Sequence, residues 1–434
     1  MFHFLLSLTL LASGAPDTPP ETLTLKQAVE MALAASPEVK VMQAQQDAAQ
    51  QAINEARSAF IPAFYLGSGA AYTRGTSQLI EGQPPSIANA VVIGQILNRP
   101  LSHAVEEMRA NAQAVSAGAS VRRDDLIWRV STAYLDLAHT ASELEAVSKE
   151  TGSLTKLEAL MLERVKEGRE LPSEGTRAKL NVARNRQHIL EMQGRVTLLE
   201  STLRSLLSLP EDRRFRTSPE PLGALEADAA LDSVEEENRA VQRAWDNSAE
   251  LKKLNFELQA REARLRAEES QKYPQMELLV NYAYLTRATR FVTSSLNTLT
   301  PNNIQLGTSI KIPLFANAKI AARVGEATAE ITVAKAALES AKRRIALDVR
   351  TAFQQSREAT ASKEVARLEL ELARQNTSVT LAQFEEGRAG AKELEQARLE
   401  ESGKWNALLD SGFAGDKAKL QVLKATGEIS RLVQ

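Results

Sequence analysis

The sequence predicts a mainly α-helical chain with a small amount of membrane-crossing β structure, laid out twice in tandem. Three observations predict it. Two helical stretches are far longer than a globular core uses, four short segments alternate with a period of two, and the two halves match at a nearly fixed offset.

The longest helical stretch runs from Leu314 to Glu386, with no proline and only Gly325 inside it. At about 1.5 Å per residue it spans roughly 100 Å, a length sustained by coiled coils, membrane spans or repeats. Lys342, Arg343, Arg344, Asp348 and Arg350 fall in its middle and exclude a membrane span. Ile331, Ala334, Leu338, Ala341 and Ile345 step by three and four, which is a coiled-coil seam. A second such stretch, Leu101 to Lys166, is interrupted at Gly168 and Pro172 and resumes to about residue 209.

Strands are predicted at about 62–75, 90–100, 275–291 and 303–313. In the last of these Ile304, Leu306, Thr308, Ile310 and Ile312 share one face, opposite Asn303, Gln305, Gly307, Ser309 and Lys311. Pro313 should end this strand and open the helix, giving one continuous rod. In the third strand Met276, Leu278, Val280, Tyr282 and Tyr284 oppose Glu277 and Asn281. Tyr72, Tyr282 and Tyr284 are candidate lipid-facing or interface aromatics, because a phenol ring can bury while its hydroxyl stays wet.

Pro62 and Pro274, like Tyr72 and Tyr284, lie 212 residues apart, and Pro100-Leu101 lies 213 before Pro313-Leu314. Glu167-Gly168-Arg169, Glu174 and Ala178 recur 219 residues later as Glu386-Gly387-Arg388, Glu393 and Ala397. Residues 15–225 therefore form a first repeat, with a helical hairpin over 101–209 and its tip near 168. Residues 226–434 form a second, with a hairpin over 314–430 and its tip near 387. Ahead of them, residues 1–14 read as a signal peptide. A short apolar run ends in small residues, with Ala12 and Gly14 at the positions a signal peptidase selects, although no Lys or Arg precedes the run.

Four strands cannot close a barrel, and an open sheet edge leaves backbone groups unsatisfied in lipid. Closure must come from several chains. Three copies would make a shared barrel of twelve strands with twelve helices beneath it.

At formal charge −2 nothing suggests a nucleic-acid partner. There is no cysteine, which excludes disulfides, thiol catalysis and a lipid anchor through cysteine. Gly67-Ser68-Gly69 is followed by Tyr72 where a dinucleotide fingerprint needs a small residue, and His3, His103, His139 and His188 have no partner at metal-ligand spacing. No enzyme, cofactor or metal is expected, and any energy must come from a partner.

Together, the Leu23-Thr24-Leu25 opening with Ala28, Ala32, Leu33 and Ser36-Pro37, the proline-bounded strands, Pro313-Leu314-Phe315, and the glycine-acid-alanine breaks at Gly168 and Gly387 resemble the outer-membrane efflux protein family, the TolC-like channel-tunnels. The resemblance covers essentially all of the chain after the leader. It implies a homotrimer in the bacterial outer membrane, contacting lipid and extending into the periplasm. It also implies a passive conduit of a tripartite efflux or secretion system, partnered by a periplasmic adaptor (membrane fusion protein) and an inner-membrane transporter. The adaptor-docking tips map onto Glu167, Gly168, Arg169, Glu386, Gly387 and Arg388. A periplasmic gate or acidic ring maps onto Glu174, Glu393 and Phe384. Phe384 stands where the family's gate has a tyrosine and Ala389 where it has an arginine, so those gate bonds do not carry over. The alternative is a periplasmic adaptor or coiled-coil structural protein of an envelope complex. An adaptor would have one long hairpin, whereas this chain has two.

Overall fold

The computed structural model describes residues 21–69, 86–211, 213, 215–218, 234–285, 302–314 and 317–433. The leader at 1–14, Tyr72 and Phe315 lie outside them.

The chain opens with β1 (Glu21–Leu23), α1 (Leu25–Ala35) and α2 (Pro37–Ser58), then the hairpin strands β2 (Ala63–Gly69) and β3 (Ser86–Leu97). Two long helices follow, α3 (Arg99–Lys166) and α4 (Pro172–Leu207), and then β4 (Phe215–Thr217). The second half repeats the order with α5 (Val234–Asn247), α6 (Ala249–Ser270), β5 (Gln275–Leu285), β6 (Asn302–Lys311), α7 (Asn317–Glu385) and α8 (Ala391–Ala425). A 3-10 turn, Ile429–Val433, ends the chain.

Local chemistry sets the helix starts, and it does so twice. Thr24 and Gln27 form a reciprocal capping box on α1. The Ser36 hydroxyl accepts from Glu38 N at 3.2 Å, with Pro37 in the first turn of α2, and its repeat counterpart Ser248 accepts from Leu251 N at 3.2 Å to start α6. Asn98 caps α3 through Leu101 N at 3.0 Å.

The duplication extends into the core. Ala28, Val29 and Ala32 of α1 are buried in one apolar cluster with Leu126, Val130 and Tyr134 of α3, Leu203 and Leu207 of α4, Phe215 and Leu420. Their counterparts 212 residues on, Ala240, Val241 and Ala244 of α5, are buried against Ile345, Val349 and Phe353 of α7. Those three α7 residues lie 219 after Leu126, Val130 and Tyr134. Each of the larger side chains, Val, Leu, Ile or Phe, contributes about 1.5–3 kcal/mol when withdrawn from water.

β1 and β4 pair in parallel beside the first cluster. Tyr134, near the middle of α3, donates its hydroxyl to Leu23 O at 2.8 Å and accepts from Ser218 N at 3.0 Å, tying both short strands to the helix.

The expected continuous rod from β6 into α7 does not form. β6 ends at Lys311 and α7 begins at Asn317, whereas in the first half β3 ends at Leu97 and α3 begins at Arg99. The offset grows from 214 at the strand ends to 218 at the helix starts, so most of the change from 213 to 219 falls at this junction. Pro313 ends the strand as expected, but the helix waits for Asn317.

Candidate functional site

The four longer strands form one antiparallel sheet in the order β2-β3-β5-β6. Residues directly opposite one another in an antiparallel pair share a face, so the register sorts every side chain. One face holds Phe64 and Leu66 of β2, Ala90 and Val92 of β3, Leu278, Val280 and Tyr282 of β5, and Ile304, Leu306 and Ile310 of β6. The other holds Asn89, Gln95, Glu277, Asn281, Gln305 and Lys311, with Tyr65, Val91, Ile93 and Leu279 among them. Across this second face Glu277 accepts from Gln95 Nε2 at 3.2 Å and from Lys311 Nζ at 2.8 Å, a ladder over three strands.

The apolar face is not covered by the chain's own helices. Leu66 and Leu306 are each 76% exposed and Ile304 72%. Tyr282 and Tyr284 sit on this face, Tyr282 donating to Asn302 Oδ1 at 3.1 Å. β2 and β6 are edge strands, each with a ladder on one side only.

Beyond the far ends of α3 and α7, Gly168 and Gly387 have φ of +72° and +73°. Each closes a Schellman turn: Gly168 N donates to Val165 O and Arg169 N to Arg164 O, and Gly387 N donates to Phe384 O and Arg388 N to Gln383 O. A Cβ at either glycine would meet nothing within 4 Å, so the left-handed φ alone calls for glycine. Arg169 pairs with Glu167 at 3.2 Å, and Arg388 pairs with Glu386. The ends of α4 and α8 repeat the pattern, with Ser208 at φ 54° and Gly427 at 71°, again 219 apart.

Of the acidic pair, Glu174 is largely covered and takes both oxygens to Arg177 Nη1 at 2.9 Å. Glu393 is exposed and carries no ion pair among the described residues, and its carboxylate lies over Gly390, which starts α8 without a side-chain cap. Phe384 packs on Met161 of α3 and Ala178 of α4, with the Arg164 guanidinium 5.1 Å above its ring. It therefore ties the second hairpin to the first within one chain.

Two residues near the tips were not read from the sequence. Glu395 of α8 is 5% exposed and accepts from Asn181 Nδ2 of α4 at 2.6 Å, a second tie between the hairpins. Arg398 and Trp405, at helical spacing from Glu395, are exposed, so periodicity along α8 does not mark Glu395 as inward, and its burial follows from the packing opposite Asn181.

The profile of a family described as "outer membrane efflux protein" matches residues 28–208 and 240–428, one block per repeat. No curated protein matches the sequence. Among solved structures, a membrane protein from Pseudomonas aeruginosa superposes with a TM-score of 0.78 at 17% identity, covering 93% of this chain and 92% of that one. The outer membrane protein VceC of Vibrio cholerae gives 0.74 at 18% identity, covering 93% and 96%. The CmeC outer membrane channel of Campylobacter jejuni gives 0.78 at 13% identity, covering 93% and 85%. The fold is theirs: long helical hairpins carrying a small sheet, in tandem.

Proposed function

Because this chain belongs to the outer membrane efflux protein family, we propose that it is the passive outer-membrane conduit of a tripartite efflux or secretion system, working as a homotrimer. The observation that carries this reading is the four-stranded sheet, apolar on one face, polar on the other, and open at both edges. Joining β6 of one copy to β2 of the next satisfies both edges, turns the apolar face to lipid and encloses the polar ladder of Gln95, Glu277 and Lys311 in a water-filled lumen.

The helices support the same assembly. Leu190 and Leu198 of α4 are 69% and 67% exposed in the single chain, and α7 exposes Val365, Leu372 and Val379 at heptad spacing. Unpartnered seams of this kind are covered when hairpins stand side by side in a ring. The tips at Gly168 and Gly387 would meet the periplasmic adaptor through Glu167, Arg169, Glu386 and Arg388, and the adaptor in turn an inner-membrane transporter. Glu393, repeated by threefold symmetry, would place a ring of carboxylates beside the tips, a device that favours cations in pores. Glu174 contributes less to such a ring because Arg177 already neutralises it.

Single-channel conductance of the detergent-purified protein in a planar bilayer, with solution mass measured on the same sample, tests this reading. A conducting trimer is the expected result. A monomer that neither inserts nor conducts would mean that the sheet does not face lipid, and the alternative of an adaptor or scaffold would replace it.

A further inference from the structure

Between α3, α7 and α8 a cleft of about 510 Å³ opens at the junction of the two hairpins. Its floor is apolar: Leu154, Leu157 and Leu370 are buried beneath it, and the indole of Trp405 forms part of one wall. This volume falls in the range of sites for small organic ligands, roughly 300–1,000 Å³.

Three carboxylates line the same space, and they are not equivalent. Glu401 lies 3.8 Å from Arg374, whose guanidinium also covers the Trp405 ring at 5.3 Å. Glu150 of α3 accepts, among the described residues, only from the Ser402 hydroxyl at 2.9 Å, and Glu395 of α8 only from the Asn181 amide at 2.6 Å. Among the described residues neither has a cationic partner within ion-pair distance. Arg398 lines the cleft too, and still leaves it one negative charge in excess.

A carboxylate withdrawn from water is costly unless a cation or several donors compensate it. Glu395, 95% buried and held by one neutral donor, is under-compensated at the edge of a cleft that has room for a ligand. We propose that this cleft binds a small amphiphilic organic cation, an amine carrying one apolar ring. The ammonium pairs with Glu395 and Glu150, and the ring lies on the leucine floor against Trp405. A charge-assisted hydrogen bond to a carboxylate in a partly dry site is about twice as strong as a neutral one, so the ammonium anchors the ligand and the apolar contacts add size selection.

The test uses the purified full chain and 2-phenylethylammonium, which is water-soluble, with 2-phenylethanol as the neutral comparison. Tryptophan emission is followed during titration, a readout independent of conduction or export. Saturable quenching by the amine is expected. It should be lost in Trp405→Phe, be weakened by about tenfold in the isosteric Glu395→Gln, and be at least about tenfold weaker for the alcohol. Ser153→Phe, at the exposed rim of the cleft, should block binding without touching the carboxylates, and it decides the matter if Glu395→Gln fails to yield folded protein. Absence of saturation, equal binding of amine and alcohol, or undiminished binding in either the Glu395→Gln or the Ser153→Phe variant overturns the proposal.

Discussion

Replacing Gly168 and Gly387 together by valine attacks the tips at their backbone. Both glycines hold φ near +70°, and neither has an atom within 4 Å of where a Cβ would stand. The cost is therefore conformational and not steric contact with neighbours. A left-handed residue with a Cβ costs about 1–2 kcal/mol, and a β-branched one lies toward the upper end. The cheapest relief is to abandon the left-handed turn. That gives up the bonds from Gly168 N and Arg169 N to Val165 O and Arg164 O, and their counterparts to Phe384 O and Gln383 O. At about 1.4 kcal/mol per factor of ten, each tip would populate its native turn some ten- to thirtyfold less relative to alternatives. Folding elsewhere should survive, because the clusters around Tyr134 and Phe353 lie far along α3 and α7. The assay is export in cells lacking their own channel, measured as survival against an exported toxic compound, with trimer mass checked on the purified variant. Export should fall while the trimer persists. Asparagine at the same positions, which tolerates this φ, should restore most of it. Unchanged export in the valine variant would remove the tip assignment, and an equal defect in the asparagine variant would shift the cause from backbone to side-chain bulk.

Glu393→Gln should weaken the block of conductance by multivalent cations added on the periplasmic side; an unaltered block would sink the carboxylate ring. Leu306→Arg puts a charge on the apolar face at a cost of about 2–4 kcal/mol if it lies near the bilayer midplane. Its fraction in urea-washed membranes should drop while Gln305→Arg on the opposite face is tolerated, and equal behaviour of the two would contradict the assigned faces. Burial pushes the Asp124 carboxyl above its ordinary range, opposed by Arg123. The folded chain therefore binds this proton more tightly than the unfolded one, and the wild type loses stability as pH rises from the ordinary value of about 4 through the raised one. Asp124→Asn should accordingly have the higher Tm at pH 7.5, with the gap closing as pH falls toward about 4. A gap that stays constant across this range would show that ionisation is not its cause.

Much of the architecture was legible because it rests on short-range signals. The duplication was visible in matched prolines, tyrosines and tip glycines. The faces of β5 and β6 followed from alternation, since Tyr282 and Leu306 can only point one way once the strand forms. The helix-ending turns at Gly168 and Gly387 were legible because a glycine between long helices and ahead of a proline or second glycine has few other uses. β1 and β4 were not legible. Each is three residues long, too short for a period, and their pairing joins Glu21 to Phe215 across the whole first repeat. The ends of the helices at the sheet were misjudged for a related reason. Pro313 is acceptable in a first helical turn, but the chain adds residues between Lys311 and Asn317 before the helix starts.

What the sequence by itself determined is the set of parts: two repeats, four two-faced strands, two hairpins of coiled-coil length, and glycine turns at their ends. These depend on spacing and composition, which are local. What only the tertiary structure decided is which parts face one another. Phe384, a gate position by resemblance, rests on Met161 and Ala178 beneath Arg164, and Glu395, in sequence one helix carboxylate among many, is buried opposite Asn181. Both outcomes depend on how one hairpin lies against the other more than two hundred residues away. Helical periodicity gives a side chain's direction around its own axis, and only packing says what it meets there.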